Sequence, residues 1–111
     1  MLRTVSKDLS PFVAWALERD GISYMSREIE GIGQYTEFQT AISARRFRNV
    51  LEDAVCEKER RASPTPDIPV LSYRAALNPS RMRALLDYYG ADCFVIREQD
   101  QTRYYYTVRA I

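Results

Sequence analysis

The sequence contains no histidine among its 111 residues. Histidine is the commonest general base near neutral pH and the commonest zinc ligand, so chemistry that depends on it is excluded. The two cysteines, Cys56 and Cys93, have no Cys-x-x-Cys spacing. We interpret each as a small buried hydrophobe in a reducing compartment, with a single disulfide as the alternative. The sequence therefore predicts no metal site and no cofactor.

Long hydrophobic runs are also missing. No stretch approaches the roughly 18 apolar residues that a membrane-spanning helix needs. The N-terminal segment has no apolar core of the kind found in secretory signals, so we expect a cytoplasmic protein without membrane contact. Because 46% of the residues are hydrophobic and 28% are charged, the composition is typical of a globular chain. At this length we predict a single domain over residues 1–111.

Lysine is scarce, since 14 of the 16 basic residues are arginine. Arginine offers a planar fork for carboxylates, phosphates and guanine edges, which favours recognition surfaces. A GC-rich coding sequence explains the same bias without function. The charge is uneven, with a net −2 over residues 1–59 and a net +3 over residues 60–111. We therefore expect an anionic partner to meet the C-terminal half.

Helix signals are clear in two places in the N-terminal half. Ser10-Pro11 is a capping residue followed by a proline that loses no hydrogen bond, and it predicts a helix over residues 11–20. A second apolar stripe begins at Phe47 and predicts a helix over residues 43–61. Thr36 and Ser43 are alternative caps for the segment that contains it.

The segment 22–33 fits two structures. Met25, Ile29 and Ile32 have helical spacing, whereas a strand would place Arg27 on the same face as Met25. Gly31 and Gly33 oppose a long helix. We prefer a short helix, with a strand as the alternative.

A proline-rich joint at residues 62–67 separates the two halves of the chain. After it, Asp67 is a candidate cap for a short helix over residues 68–75. Asn78-Pro79 then begins another helix, and Gly90 ends that helix. Its apolar stripe is formed by Met82, Leu85, Leu86 and Tyr89.

The C-terminal segment predicts an antiparallel β-hairpin. Two β-prone runs, 93–98 and 103–108, flank a four-residue turn. Pairing Glu98 with Arg103 keeps the alternation consistent along both strands. We further expect Tyr106 to be more buried than Tyr105, because Tyr106 shares a face with Cys93 and Val108.

Catalytic patterns are not found. The sequence has no glycine-rich loop with a lysine, and no serine or cysteine can pair with a histidine. Acidic pairs such as Asp53 and Glu57 are typical of solvated helix faces. We therefore predict that the protein is not an enzyme. Eight tyrosines and the many arginines are instead typical of binding surfaces, although tyrosine is also a common strand residue.

The order of helix, short helix, helix and hairpin in the C-terminal half resembles a winged-helix DNA-binding domain. The matching text is NPSRMRALLDYYGADCFVIREQDQTRYYYTVR, in which Asn78-Pro79 would begin the recognition helix. The resemblance implies that Ser80, Arg81 and Arg83 face the major groove and that Gln101 and Arg103 lie on the wing. It departs from the family in the short preceding helix, which holds Pro69, and in the acidic Asp87 and Asp100.

We predict an α+β fold in which N-terminal helices are followed by a helix packed on a C-terminal hairpin. The expected function is regulatory nucleic-acid binding without catalysis. The alternative is a protein-binding inhibitor or adaptor of the kind that phages and mobile elements encode, including anti-CRISPR-like proteins. Partners are therefore nucleic acid or a nucleic-acid-handling protein, and a homodimer stays open. The candidate binding residues are Ser80, Arg81, Arg83, Gln101, Arg103 and Tyr105.

Overall fold

The computed structural model describes residues 2–29, 34–100 and 103–110. In these ranges the chain forms four helices and a five-stranded antiparallel sheet, which confirms the predicted α+β class. The elements are β1 (Leu2–Ser6), α1 (Ser10–Arg19), β2 (Tyr24–Glu28), β3 (Tyr35–Thr40), α2 (Ala44–Ala62), α3 (Val70–Ala76), α4 (Pro79–Tyr88), β4 (Cys93–Asp100) and β5 (Arg103–Ala110).

The sheet has the strand order β2-β3-β1-β4-β5. One face, which we call the helix face, carries Val5 and Phe38, whose side chains are at most 1% exposed. The hydrophobic core lies between this face and three of the helices, because α1, α2 and α4 each turn an apolar stripe towards it. Among the core side chains are Val13, Leu17, Phe47, Leu51, Val55 and Leu86.

The helices begin close to the predicted positions, and two of the predicted caps are present. Ser43 accepts a hydrogen bond from Arg46 N at 3.2 Å and is the N-cap of α2. Asn78 does the same for α4, since its Oδ1 accepts from Arg81 N at 2.7 Å. The helix predicted over residues 11–20 is present as α1, but its predicted cap was wrong, because Leu9 is the N-cap and the Ser10 hydroxyl instead donates to Lys7 O.

Other parts of the sequence interpretation need correction. The segment from residue 22 onwards contains β2 rather than the preferred helix, and Thr36 lies inside β3 rather than at a helix start. Strand β1 was not predicted. The short helix α3 has Pro69 as its N-cap, so Asp67 does not fill that position. The N-terminal half therefore supplies three strands to the sheet as well as two helices.

The predicted hairpin is present, but its register differs by two residues. Asp100 lies opposite Arg103, and Glu98 lies opposite Tyr105. The connection is therefore two residues long rather than four. Because the shift is even, each strand keeps its predicted faces, and Val95 now lies opposite Val108. The structure does not describe the side chains of Tyr105 and Tyr106, so their expected difference in burial stays a prediction.

The molecule measures 52 × 27 × 22 Å along its principal axes, and the hairpin extends away from its body. Within the described residues, the pairing of β4 with β1 places Cys93 opposite Thr4. Since β1 and β4 are antiparallel, the part of β4 after Val95 continues past Leu2. The distal hairpin is thus supported mainly by the pairing of its own two strands.

Candidate functional site

Ser80 and Arg81 lie in the first turn of α4, and both are exposed. The backbone of Arg81 supports the helix through Asn78, but its side chain makes no ion pair within the described ranges. Removing that side chain therefore breaks no ion pair among the described residues. The role of Arg81 in binding stays a prediction.

The winged-helix resemblance implies that Arg83 faces DNA, whereas in the structure Arg83 forms ion pairs within the protein. Its guanidinium lies 3.0 Å from Asp92 and 3.4 Å from Asp87. Asp92 is only 6% exposed and also accepts a hydrogen bond from Arg48 at 2.5 Å. Arg83 therefore neutralises a buried carboxylate. This ion pair gives Arg83 a role in the stability of the fold.

The predicted wing residues lie on or beside β5. Arg103 and Tyr105 are in the strand, opposite Asp100 and Glu98 respectively. Their side chains lie outside the description, and Gln101 lies outside the described ranges altogether. The backbone places Arg103 at the outer end of the hairpin and Tyr105 two residues closer to the body.

A chain of ion pairs crosses the helical layer, and the sequence analysis missed it. Arg74 of α3 donates to both Glu52 and Asp53 of α2, and Arg19 of α1 donates to Asp53 at 2.7 Å. Positive and negative side chains alternate along this series of ion pairs. Its members in order are Asp20, Arg19, Asp53, Arg74, Glu52, Arg48, Asp92, Arg83 and Asp87.

This network explains how α3 is held in place. No residue of α3 is fully buried, and Leu71 is 77% exposed. The helix contacts the core through partly buried Val70 and Tyr73, and Arg74 adds ion pairs to α2. Part of the high arginine content is therefore explained by ion pairs that hold the helices together. Four arginines, one from each helix, join the helices through ion pairs rather than form a free cationic surface.

The second face of the sheet, which we call the open face, carries several exposed apolar side chains. Leu2 lies opposite Gln39, and Gln39 lies opposite Met25, so these three residues form one row across β1, β3 and β2. Met25 is 72% exposed and Leu2 is 57% exposed. Val108 is on the same face and is 42% exposed, because Thr4 pairs with Cys93 and the alternation continues along the hairpin.

A shallow groove follows this row. Its volume is about 370 Å³, and its lining is Leu2, Met25, Ser26, Arg27, Glu37 and Gln39. Arg27 Nε donates to Glu37 Oε1 at 2.9 Å beside the row. The charges of this pair cancel, so the groove has an apolar centre and an electrically balanced margin. Such a distribution is typical of protein interfaces.

Tyr35 lies on the open face at the end of β3 that is opposite Ser6, away from Leu2 and Met25. A Cβ atom on Gly90 would lie 3.3 Å from Cε1 of Tyr35, which shows how closely the ring packs on the turn before β4. Burial raises the pKa of the Tyr35 hydroxyl and of the Cys93 thiol. The exposed apolar part of the face is therefore confined to the Leu2 and Met25 end and to the hairpin.

Two titratable groups with shifted pKa values, Glu57 and Cys56, lie in the interior. Two arginines, Arg60 first and then Arg61, lower the pKa of the Glu57 carboxyl, which is 2% exposed. Burial raises the pKa of the Cys56 thiol to about 11. These groups are held by ion pairs or by the core, which favours a structural role for them. Across the described residues no three potential ligands of a metal ion cluster together.

Within the same ranges, every helix is too short or too polar to cross a membrane. Comparison of the chain with protein-family models, with curated proteins and with solved structures found no match.

Proposed function

We propose that this chain is a non-catalytic protein-binding module of the inhibitor or adaptor class, and that its open face docks on a partner protein. The observation that carries the proposal is the exposure of Leu2, Met25 and Val108 on one face of the sheet. The helix face carries the core residues Val5 and Phe38, whereas nothing in the described chain covers this row. Contiguous exposed apolar surface of this kind favours an interaction site.

The charge of the open face supports a protein rather than a nucleic acid as the partner. Its described ion pair, Arg27 with Glu37, has no net charge. Phosphate binding needs an excess of lysine or arginine, whereas a protein interface needs an apolar centre with a polar margin. Met25 has the long flexible side chain that adapts well to a partner surface. A reducing compartment is part of the proposal, because Cys56 and Cys93 are free thiols.

The test is capture of a partner by three forms of the full chain. The unmodified protein is compared with Met25→Glu, which places a charge in the centre of the row. Leu71→Glu is the matched control, since Leu71 is similarly exposed but lies on α3. We expect Met25→Glu to lose the partner and Leu71→Glu to retain it, with little change after nuclease treatment.

Two results contradict the proposal. Equal capture by the unmodified protein and by Met25→Glu would show that the open face is not used. Loss of the captured partner on nuclease treatment would assign the contact to nucleic acid instead. Far-UV circular dichroism of both variants establishes that each remains folded.

We propose nucleic-acid binding by the winged-helix-like C-terminal half as the second candidate. The favouring observation is that Arg81 is exposed without an ion pair in the described ranges. Arg103 on the extended hairpin would add a second contact. Duplex mobility shift at two salt concentrations tests this candidate. Arg81→Ala should weaken binding and reduce the slope against salt by about one unit if the contact is to phosphate.

A further inference from the structure

One side of strand β2 has no partner strand in the described ranges. The strand is terminal in the sheet order and pairs there with β3 alone. Ile29 N donates to Tyr35 O at 3.2 Å. Because hydrogen-bonded pairs alternate along an antiparallel ladder, Met25 and Arg27 also direct their N–H and C=O groups towards β3. The residues whose backbone groups point away from the sheet are Tyr24, Ser26 and Glu28.

No helix of the described residues covers this outer side of β2. Ser26 lies opposite Phe38, so Ser26 and Glu28 direct their side chains to the helix face, and both are exposed. The helical layer therefore leaves room beside the strand. The strand also contains no proline, and its five consecutive pairs with β3 contain no bulge. An edge strand without these protective features can accept another strand.

We propose that two copies of this chain associate through β2 in an antiparallel arrangement, with a two-fold axis at Ser26. In this register Tyr24 lies opposite Glu28 of the second copy, and Met25 lies opposite Arg27 of the second copy. Three outward-pointing residues in each copy supply three N–H and three C=O groups, so six hydrogen bonds form between the copies. The two sheets become one continuous sheet with both open faces on the same side.

The neighbouring registers are less favourable. An axis at Arg27 would place two guanidinium groups directly opposite each other, and like charges in a cross-strand pair are destabilising. An axis at Met25 would leave Glu28 beyond the paired strands, so that only Tyr24 and Ser26 of each copy would contribute, with four hydrogen bonds. The axis at Ser26 avoids both losses.

The charges of the chain suit a second copy as the occupant of this edge. The net charge is only +1, so two copies repel each other little. Arg27 pairs with Glu37 at 2.9 Å and Glu28 pairs with Lys7 at 3.2 Å, so the charges along the edge are balanced. A two-fold contact requires a surface that complements itself. The outward backbone groups of β2 meet this requirement in the proposed register.

Sedimentation equilibrium of the full chain tests the association. Ser26→Pro removes an outward N–H that β3 does not use, whereas Ser26→Thr keeps this N–H and is the matched control. We expect a reversible dimer that forms between about 10 µM and 1 mM. By symmetry Ser26→Pro removes two of the six hydrogen bonds, so it should weaken association by about tenfold or more. Ser26→Thr should leave the association within about twofold.

Disulfide cross-linking measures the register. Met25→Cys and Arg27→Cys are prepared as separate proteins, each with Cys93→Ser to remove the partly exposed native thiol. Opposite residues of a pair without hydrogen bonds have Cα atoms about 4.5 Å apart, which permits a disulfide. With an added oxidant, we expect a covalent dimer when the two proteins are mixed and little covalent dimer from either protein alone.

Three outcomes overturn the proposal. They are a chain that stays monomeric throughout this concentration range, equal association of Ser26→Pro and Ser26→Thr, and cross-linking of Met25→Cys or Arg27→Cys alone rather than in the mixture. A monomer whose captured partner is lost in Ser26→Pro would assign the edge to that partner instead. Thermal unfolding of each variant separates lost association from lost folding, and cross-linking tests the register without the proline.

This proposal does not depend on the partner proposed for the open face. Met25→Glu, which should abolish capture of that partner, places a carboxylate opposite Arg27 of the second copy and should keep the dimer. The two proposals can therefore fail separately.

Discussion

Arg48 Nη1 donates to Asp92 Oδ1 at 2.5 Å, although 44 positions separate the two residues in the chain. The contact joins the central helix α2 to the turn from which β4 begins. Because Arg83 binds the other oxygen of the same carboxylate, one buried aspartate connects α2, α4 and the base of the hairpin. The position of the hairpin is therefore controlled by an electrostatic contact as well as by the sheet.

Asp92→Asn should reduce the free energy of unfolding by about 3 kcal/mol, since removing one member of a buried ion pair leaves the others without compensation. Asp87→Asn is the control, because Asp87 is 57% exposed and contacts Arg83 at 3.4 Å. Its loss should be below about 1 kcal/mol. Urea unfolding of the three proteins measures both changes. Similar losses for the two variants would show that Asp92 has no special role.

Acid should destabilise the protein through Glu57. Arg60 and Arg61 lower the pKa of its carboxyl below the ordinary value of 4.5. The stabilisation is present above that ordinary value and is lost as the pH falls through the lower pKa of the folded state. Glu57→Gln should lose about 2 kcal/mol at pH 7 and should show a weaker dependence on pH below 4.5. Denaturation at a series of pH values measures this.

The control for this substitution is Glu28→Gln. Glu28 pairs with Lys7 at 3.2 Å, and its side chain is 65% exposed. An exposed pair contributes about 0–1 kcal/mol, so we expect little change in stability at pH 7. An unchanged acid dependence in Glu57→Gln would refute the assignment.

Two glycines with the same backbone conformation should differ in their tolerance of alanine. Gly21 and Gly90 have φ values of +67° and +65°. A Cβ on Gly21 meets nothing within 4 Å, whereas one on Gly90 lies 3.3 Å from Tyr35. Gly21→Ala should cost about 1–2 kcal/mol for the left-handed conformation alone. Gly90→Ala should cost about 1–3 kcal/mol more for the steric contact.

A double-substitution cycle separates the two costs at Gly90. In a Tyr35→Ala background the steric part disappears, so the cost of Gly90→Ala should approach that of Gly21→Ala. Chemical denaturation measures all the free energies. If Gly21→Ala and Gly90→Ala cost the same in the unmodified background, the Tyr35 ring moves aside freely.

The Cys56 thiol should react slowly in the native protein. It is fully buried, and burial raises its pKa to about 11. At pH 8 only about one molecule in a thousand carries the reactive thiolate. In Cys93→Ser, which leaves Cys56 as the single thiol, a disulfide reagent should give full reaction only after addition of denaturant. Fast reaction without denaturant would mean that the helical layer opens readily.

Local signals in the sequence were enough to predict the four helices of the described ranges, although the expected caps of α1 and α3 were wrong. The stripe that begins at Phe47 and the caps at Ser43 and Asn78 act within a few residues, so no partner is needed to recognise them. Strands β1, β2 and β3 could not be recognised in this way. Leu2 pairs with Gln39 from a distant part of the chain, and a five-residue strand has little intrinsic preference of its own.

The hairpin shows where pattern reasoning is ambiguous. The alternation that supports pairing Glu98 with Arg103 equally supports pairing Asp100 with Arg103, because a shift of two residues keeps every side chain on its face. Only the length of the turn distinguishes the registers. The candidate surfaces had a similar difficulty. The contact of Arg48 with Asp92 joins residues 44 positions apart, and the open face that exposes Met25 forms only when separate strands pair.

The strand order leaves β2 at one margin of the sheet and β5 at the other. Both strands therefore present backbone groups that another chain could pair with. Contact between β2 of two copies would close on a two-fold axis and stop at a dimer. Contact between β2 of one copy and β5 of the next would instead repeat without closure and produce a fibre. High concentrations of the protein thus carry a polymerisation hazard that substitution of a proline within β2 should remove.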